Sequence, residues 1–473
     1  MLVIISDLHL SDGSSGETVH QGTLRVFCER LRALAHAASW RADGQYKPIE
    51  EFDVVLLGDI LDNLRSSKWF DNDPLGGLHV RPWDMVRGQP LANKVRKITE
   101  GILSHNEVFF SLLRELHDPT VTSLPVAGHD GRPARSDAHG VSSDRAPVRV
   151  RVHYFVGNHD WFYHLPDPAY SEIRRRIVDV LGLANDPSEP FPHDPDEPAA
   201  RDIRKVFTQH RVFARHGDIF DPINFEGDRD KSSVGDAVAV DLVARFAVEV
   251  RRSMGDLLPV DCMVGLNEVD NVRPTYMAPV WIGGLLRRTC PDKRLRGQVR
   301  EIWNDLVDQL FRNPFVREHL SYRHPLSVTR KLKWTLTLSK SLIAPENNWV
   351  IRRLSERMGN LKSSHLQHAL QERSFHNRSA RFIVHGHSHR HEIIALNSSL
   401  TGEGLLNQIY INCGTWRPVH ELARYRCGHE MFVGYNTMTY LAFFKEGERS
   451  GRRFECWSGA LSGSSWKKGI TTD

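Results

Sequence analysis

Five short stretches of this 473-residue chain carry residue types that bind divalent cations: Asp7-Leu8-His9, Gly58-Asp59, Gly157-Asn158-His159-Asp160, His216-Gly217-Asp218 and Gly386-His387-Ser388-His389. Carboxylates, imidazoles and one amide oxygen, with no thiolate, are the donors that two adjacent divalent ions require. Asp7 and His9 stand two apart and can reach one ion through a local turn. Asp59 is the expected bridge, because a carboxylate can give one oxygen to each of two cations and offset their repulsion. Asn158 ligates without adding charge, His216 and His387 complete the second ion, and His389 returns to the first. Ions about 3.5 to 4 Å apart can share a water, lower its pKa and hold a phosphoryl oxygen as charge develops, so no covalent enzyme intermediate is required. His159 is expected to stay off the metal and to give a hydrogen bond or a proton to the leaving oxygen. Asp62, three residues past Asp59, is expected to accept its other ring hydrogen and fix its tautomer.

These residues can meet only if the chain brings them to one place, and the flanking sequence indicates how. Leu2 to Ser6 and Asp53 to Leu57 are short apolar runs ending at acidic residues, with helical spacing of Leu24, Phe27, Leu31, Leu34 and Ala35 between them. That is a β-α-β start. Val148 to Val156, Val212 to Ala214 and Phe382 to Val384 are further strands, each leading into a motif. Ligands at the carboxyl ends of neighbouring strands converge although hundreds of residues separate them in sequence. Gln408 to Asn412, Met431 to Phe444 and Arg453 to Trp457 read as more strands that complete a second sheet. The expected fold is α/β, a sandwich of two mixed sheets flanked by helices.

Two segments interrupt this core. A helix-like stretch from Leu91 to Leu116 and a Gly/Pro/Asp/His-rich loop from His117 to Pro147 form an insertion over about 66–147. A larger insertion over 225–374 has helical periodicity in Val234 to Val250, Val299 to Phe311 and Trp349 to Leu370, and reads as a helical cap. The expected core is therefore 1–224 together with 375–473. A Pro/Asp-rich connection runs from Asn185 to Ala200. His153, His385 and His391 lie near motifs and are candidates to orient ligands, whereas His20, His36, His117, His129, His193, His376 and His429 read as surface or loop residues.

The ordered set Asp-x-His, Gly-Asp, Gly-Asn-His-Asp, a later His and Gly-His-x-His resembles the calcineurin-like metallophosphoesterase superfamily over about half the chain. The resemblance implies a four-layer α/β/β/α fold, a dinuclear centre of Mn first, with Fe or Zn as alternatives, and hydrolysis of phosphate mono- or diesters. Asp7-Leu8-His9-Leu10, His216-Gly217-Asp218 and His385-Gly386-His387-Ser388-His389-Arg390 are similar to the UDP-2,3-diacylglucosamine pyrophosphatases, which carry Arg where His159 stands and are far shorter in both insertions. Gly157-Asn158-His159-Asp160 resembles the cyclic-nucleotide phosphodiesterase and nuclease branches. Asn63 replaces the Arg that phosphoprotein phosphatases carry after the second Asp of Gly-Asp-x-x-Asp. The expected activity is hydrolysis of a phosphodiester or pyrophosphate, with a phosphomonoesterase, a protein phosphatase or a DNA nuclease of the same superfamily as the alternatives. A non-catalytic binding module on the same fold is the alternative of another class.

Composition constrains partners only weakly. The 62 basic and 58 acidic side chains leave a net charge of +4, so only local clustering speaks to nucleic acid or membranes. Arg287, Arg288, Lys293, Arg294, Arg296, Arg300, Arg323, Arg330, Lys331, Lys333 and Lys340 make the middle of the cap basic, a charge suited to phosphate-rich substrates, nucleic acid or anionic lipid. Leu332 to Leu338 alternates apolar and polar residues, which permits a strand or a membrane-facing edge as well as a solvated helical cap. Six cysteines without CxxC spacing fit a reducing compartment. A strand beginning directly after Met1 leaves no room for a cleavable signal, and no run approaches a membrane span, so a cytoplasmic location, with peripheral membrane contact allowed, is expected.

Overall fold

The computed structural model describes residues 1–15, 19, 21–71, 80–84, 88–119, 121–134, 144–273, 275–320, 332–333, 336–337, 339–340, 364–402, 404–426 and 429–460. Its strands are β1 (Leu2–Ile5), β2 (Glu51–Leu57), β3 (Ser123–Pro125), β4 (Arg145–Pro147), β5 (Arg149–Phe155), β6 (Val212–Ala214), β7 (Val272–Arg273), β8 (Phe382–His385), β9 (His391–Thr401), β10 (Gly404–Cys413), β11 (Pro418–Arg426), β12 (His429–Phe443) and β13 (Phe454–Ala460). The fold is mixed α/β with both parallel and antiparallel pairing.

The first sheet runs β5-β2-β1-β12-β11-β7, with β13 on the other side of the C-terminal half of β12. β1 and β2 pair in parallel, Leu2 opposite Asp53, and the helix Gln21–Ala38 crosses between them, as the β-α-β pattern requires. Every residue of β1 is buried, which is why it reads as an uninterrupted apolar run rather than an alternating one. The second sheet runs β6-β8-β10-β9. Of the three late strands expected in it, only the segment around Gln408 to Asn412 belongs there, as β10; Met431 to Phe444 and Arg453 to Trp457 form β12 and β13 and join the first sheet. Their aromatic residues suit either sheet, and pairing with β1 decides the matter.

Alternation along the strands sorts the core. Leu2, Ile4, Val55, Leu57, Leu441 and Phe443 of the first sheet pack in one cluster with Val212, Ala214, Phe382, Val384, Ile411 and Cys413 of the second. The other face of the first sheet, including Val3, Ile5, Val54 and Leu56, packs on helices Gln21–Ala38, Gln89–His105, Glu107–Glu115 and Pro168–Leu181. On the second sheet, Phe213, Ile383 and Tyr410 pack with Ala369 of the helix Ser364–Gln371.

The stretch Leu91 to Leu116 is two helices that meet at Asn106. The run from His117 to Pro147 is not all loop: β3 and β4 pair within it, and 135–143 lie outside the described residues. The later insertion has a separate apolar cluster, from Ala237 to Leu336, built on helices that include Ala278–Thr289 and Lys293–Arg312. It also returns a short strand, β7, to the edge of the first sheet beside β11. Of the expected helix Trp349 to Leu370, 349–363 fall outside the described residues. In Leu332 to Leu338 the described residues are helical rather than extended, and Thr337 Oγ1 donates to Lys333 O at 2.8 Å. The spacing of Leu332 and Leu336 outweighs the alternation.

Cys28, Cys262, Cys290, Cys413 and Cys456 are free thiols, and Cys427 lies outside the described residues. Among the described residues no helix is long and apolar enough to cross a membrane.

Phe443, fully buried, has its ring centroid 5.0 Å from that of Phe382 across the two sheets. Phe443→Ala should lower the unfolding free energy by about 3–5 kcal/mol in urea titrations, because it removes apolar contacts on both sheets at once. A loss below about 1 kcal/mol would contradict this packing.

Candidate metal centre

The loops that follow β1 and β2 run side by side and are zipped by backbone hydrogen bonds: Asp7 N to Gly58 O, His9 N to Asp59 O, Leu10 N to Ile60 O and Asp62 N to Leu10 O, at 2.8–3.2 Å. This ladder holds the Asp-x-His and Gly-Asp-x-x-Asp segments in fixed register. Its continuation past the strand ends demands unusual backbone. Asp7, His9, Asp59, His387 and His389 all have φ between 48° and 66°. A left-handed conformation at a non-glycine residue costs on the order of 1 kcal/mol, and concentration of such residues marks a site where geometry is held for another purpose. Two glycines make close approach possible. A Cβ on Gly157 would stand 2.4 Å from Asp59 Oδ1, and one on Gly386 would stand 2.1 Å from Ser6 Oγ.

The structure brings all seven expected ligands together. Asp7, His9 and His389 form one group of donors, and Asp59, His216 and His387 another, with the donor atoms in each within 4.8 Å of one another. His9 Nε2 lies 2.9 Å from His389 Nε2, and Asp7 Oδ1 lies 3.3 Å from the latter. Asp59 Oδ2 is 3.2 Å from His216 Nε2 and 3.6 Å from His9 Nε2, so this one oxygen borders both groups. Its other oxygen accepts from His159 N at 2.8 Å. Asn158 Oδ1 stands 3.0 Å from His387 Nδ1.

Three imidazoles have their outer nitrogen tied to a fixed acceptor. His9 Nδ1 meets Asp62 Oδ2 at 2.9 Å, His216 Nδ1 meets Leu57 O at 2.9 Å, and His387 Nε2 meets Asp221 Oδ2 at 3.3 Å. In a neutral ring, an N–H donated outward leaves a lone pair on the inner nitrogen. These inner nitrogens face Asp59 Oδ2 and Asn158 Oδ1, and that of His9 also faces His389 Nε2, so a proton, or a cation in its place, lies between each nitrogen and its neighbour. His216 Nε2 and Asp7 Oδ1 are buried without a hydrogen-bond partner. Donors about 2.0–2.2 Å from a shared ion lie roughly 3 to 3.5 Å apart, the spacing seen here. Buried His and Asp groups of this kind could hold a metal ion, and the chemistry of the donor set fits one.

His389 is the donor that the present arrangement prepares least. Arg273 Nη2 donates to its Nδ1 at 2.7 Å, which places its own proton on Nε2, toward His9. Ligation through Nε2 requires that proton to leave. Burial, then the Arg273 guanidinium, hold the His389 pKa well below the usual histidine range.

His159 and Asp62 pair as expected, Nδ1 to Oδ1 at 2.8 Å. The same carboxylate also holds His9, a link that the sequence reading lacked. His159 is the least covered imidazole of the centre, 17% exposed against 13% for His387. Burial lowers its pKa, but Asp62 and Asp59 more than reverse this and push it up to about 10. Burial lowers His216 too, and Asp59 and Asp7 raise it well above the usual value. Asp59 is pushed up by burial and then held far below the carboxylate range by His216 and His159. Asp160 organises the loop: it accepts from Gly157 N, Ile60 N and Tyr154 Oη at 2.6–2.8 Å.

Arginines missed in the sequence complete the surroundings. Arg417 Nη2 donates to Asp270 Oδ2 at 2.9 Å, Arg65 Nε lies 3.5 Å from the same oxygen, and Arg417 Nη1 lies 4.0 Å from Asp62 Oδ2. Arg273 is delivered by β7. Nothing in the spacing of these three separates them from other basic residues. By contrast Arg287, Arg288, Lys293, Arg294, Arg300 and Lys333 are exposed, Arg296 donates to Cys290 O, and Lys340 pairs with Asp308. Arg323, Arg330 and Lys331 lie outside the described residues. His153, His385 and His391 are engaged elsewhere, with Asp53, Glu372 and Asn412 O, and hold no ligand in place. Asp221 is a further residue not anticipated; five positions past His216, it had no pattern to mark it.

The chain matches no known family model and no curated protein.

Because the ion-free centre keeps a proton on His216 at neutral pH, cation binding must expel it. Calorimetric titration with Mn²⁺ at pH 6.5 should give a heat that changes with the ionisation enthalpy of the buffer, and affinity should weaken as pH falls. A buffer-independent heat would contradict this.

Proposed function

We propose that this chain is a dinuclear metal-dependent phosphoesterase of the calcineurin-like type, hydrolysing a phosphodiester or pyrophosphate bond. The observation that carries the reading is the pair of donor groups, Asp7 with His9 and His389 and Asp59 with His216 and His387, with Asp59 Oδ2 bordering both, beside His159, which neighbours His9 and Asp59 and has its Nδ1 held by Asp62. The four-layer α/β/β/α arrangement belongs to the same proposal, and the separate clusters between the sheets and on their outer faces support it. So does the separate apolar cluster from Ala237 to Leu336 inside the expected cap.

Asp7, His9 and His389 would hold one cation and Asn158, His216 and His387 the other, with Asp59 between them. Two divalent cations, Mn in the first instance, would supply Lewis acidity toward a phosphoryl oxygen and toward water. The protein supplies the rest. His159, as imidazolium, gives its Nε2 proton to the departing oxygen, and Asp62 fixes the ring and favours the charged form. The Asn158 amide is oriented by Asn224, whose Oδ1 lies 3.5 Å from Asn158 Nδ2, so that its oxygen faces the centre. Arg65, Arg273 and Arg417 make the surroundings cationic, which favours an anionic substrate. The exposed basic residues of 287–300 give an extended anion, nucleic acid or lipid headgroup a surface to lie on. Asn63, which stands where protein phosphatases carry Arg, is buried and donates to Tyr163 Oη at 2.7 Å, so it does not serve substrate phosphate. Donors complete at every motif speak against a non-catalytic binding module.

With Mn²⁺ and bis-p-nitrophenyl phosphate, Asp59→Asn should lower turnover by orders of magnitude; near wild-type turnover in the metal-loaded variant sinks the mechanism. His159→Gln should lower kcat by about 10²- to 10⁴-fold while metal content stays unchanged. It should also abolish the alkaline limb of the kcat profile, since the wild-type imidazolium is lost as pH rises through its pKa. Loss of an ion in His159→Gln would make His159 a ligand instead.

A further inference from the structure

A second set of metal-type donors shares no residue with the centre. His164 ends the turn Trp161–His164, His193 and Glu197 lie in the Pro/Asp-rich connection before the helix Arg201–His210, and Asp230 lies near the start of the later insertion. His164 Nδ1 meets Asp230 Oδ1 at 2.9 Å, while its Nε2 lies 3.6 Å from Glu197 Oε2. His193 Nδ1 closes on the other oxygen of Glu197, yet that nitrogen is buried without a well-formed hydrogen bond. The two rings stand at 89° with centroids 5.0 Å apart. Donor atoms of His164, His193 and Glu197 fall within 4.8 Å of one another.

Two imidazoles and a carboxylate with an open fourth position form a known zinc donor set, and a metal-bound histidine characteristically donates its other N–H to a carboxylate, as His164 does to Asp230. We propose that His164 Nε2, His193 Nδ1 and Glu197 hold a third divalent cation of the zinc class, with Asp230 as the positioning residue for His164. The place of the cluster gives the ion a task. The connection that carries His193 is hydrogen-bonded to both sides of the Gly157–Asp160 loop: Val156 N donates to Pro192 O at 2.9 Å and Phe191 N donates to Tyr163 O at 3.1 Å. A cation here ties the connection, the turn after that loop and the segment at Asp230 into one unit, and so braces the backbone that presents Asn158 and His159.

Four side chains 18–30% exposed would contribute little as plain ion pairs, which is the competing account. The test uses the full chain and Zn²⁺ alone. After dialysis against Zn²⁺ and removal of excess, wild type should carry one more ion per chain than His193→Ala and than the isosteric Glu197→Gln, as counted by elemental analysis. Added to the metal-free protein under conditions where Asp59→Asn has weakened the main centre, Zn²⁺ should raise Tm, and His193→Ala in that background should remove the rise. Asp230→Asn should weaken this Zn²⁺ affinity by about 10- to 100-fold. Equal zinc content and equal Tm shifts in wild type and both variants would show ion pairs only and overturn the site. The count is independent of whether the chain hydrolyses phosphate.

Discussion

Leu57 O, Asp62 and Asp221 hold the outer nitrogens of three histidines, so that their inner nitrogens point at Asp59 and Asn158. A buried carboxylate ringed by imidazoles is costly unless something positive, a proton or a cation, stands between them. The rest of the structure makes sense as the means of holding that arrangement. Parallel loops after β1 and β2 lock Asp7 and His9 against Asp59, left-handed backbone turns the side chains inward, and glycines at 157 and 386 let carboxylates approach to distances that any Cβ would forbid. The left-handed backbone is locally unfavourable, and it is sited where the hydrogen-bonded loops and the glycines converge.

Asp62 serves two imidazoles of the centre at once. One of its oxygens holds His9 and the other holds His159. A single buried carboxylate thereby orients both rings, and the Arg417 and Arg65 guanidiniums, held by Asp270, lie beside it. A cation on Asp59 would offset that carboxylate's share of the pull that raises the His159 pKa, while Asp62 keeps its own. The insertion reaches the centre through Arg273, which arrives on β7 and donates to His389 Nδ1, and through Asp270, which holds Arg417 and Arg65 beside Asp62.

Much of the centre was legible because its information is local. Asp7 with His9, Gly58-Asp59 with Asp62, and His387 with His389 lie within a few residues, each directly after a strand that the apolar runs of Leu2 to Ser6, Asp53 to Leu57 and Phe382 to Val384 announced. What stayed hidden is set by tertiary contact. Asp221, Arg273 and Arg417 act only because folding carries them to His387, His389 and Asp62, and no spacing marks them. The strands failed in the same way: β12 is one long strand serving β11, β1 and β13, and its sheet membership follows from pairing with Leu2–Ile4, which no composition records. In Leu332 to Leu338 two periodicities coexist in a short run, and packing of Leu336 in the insertion core decides for the helix.

If Asp59 lies between two cations, electron paramagnetic resonance of the Mn²⁺-loaded protein will show it. Full-length protein carrying two Mn²⁺ per chain at the centre should give the spectrum of an exchange-coupled pair, replaced in Asp59→Asn by the signal of isolated ions. A single Mn²⁺ per chain with an uncoupled signal, identical in wild type and Asp59→Asn, would show that Asp59 bridges no pair of ions.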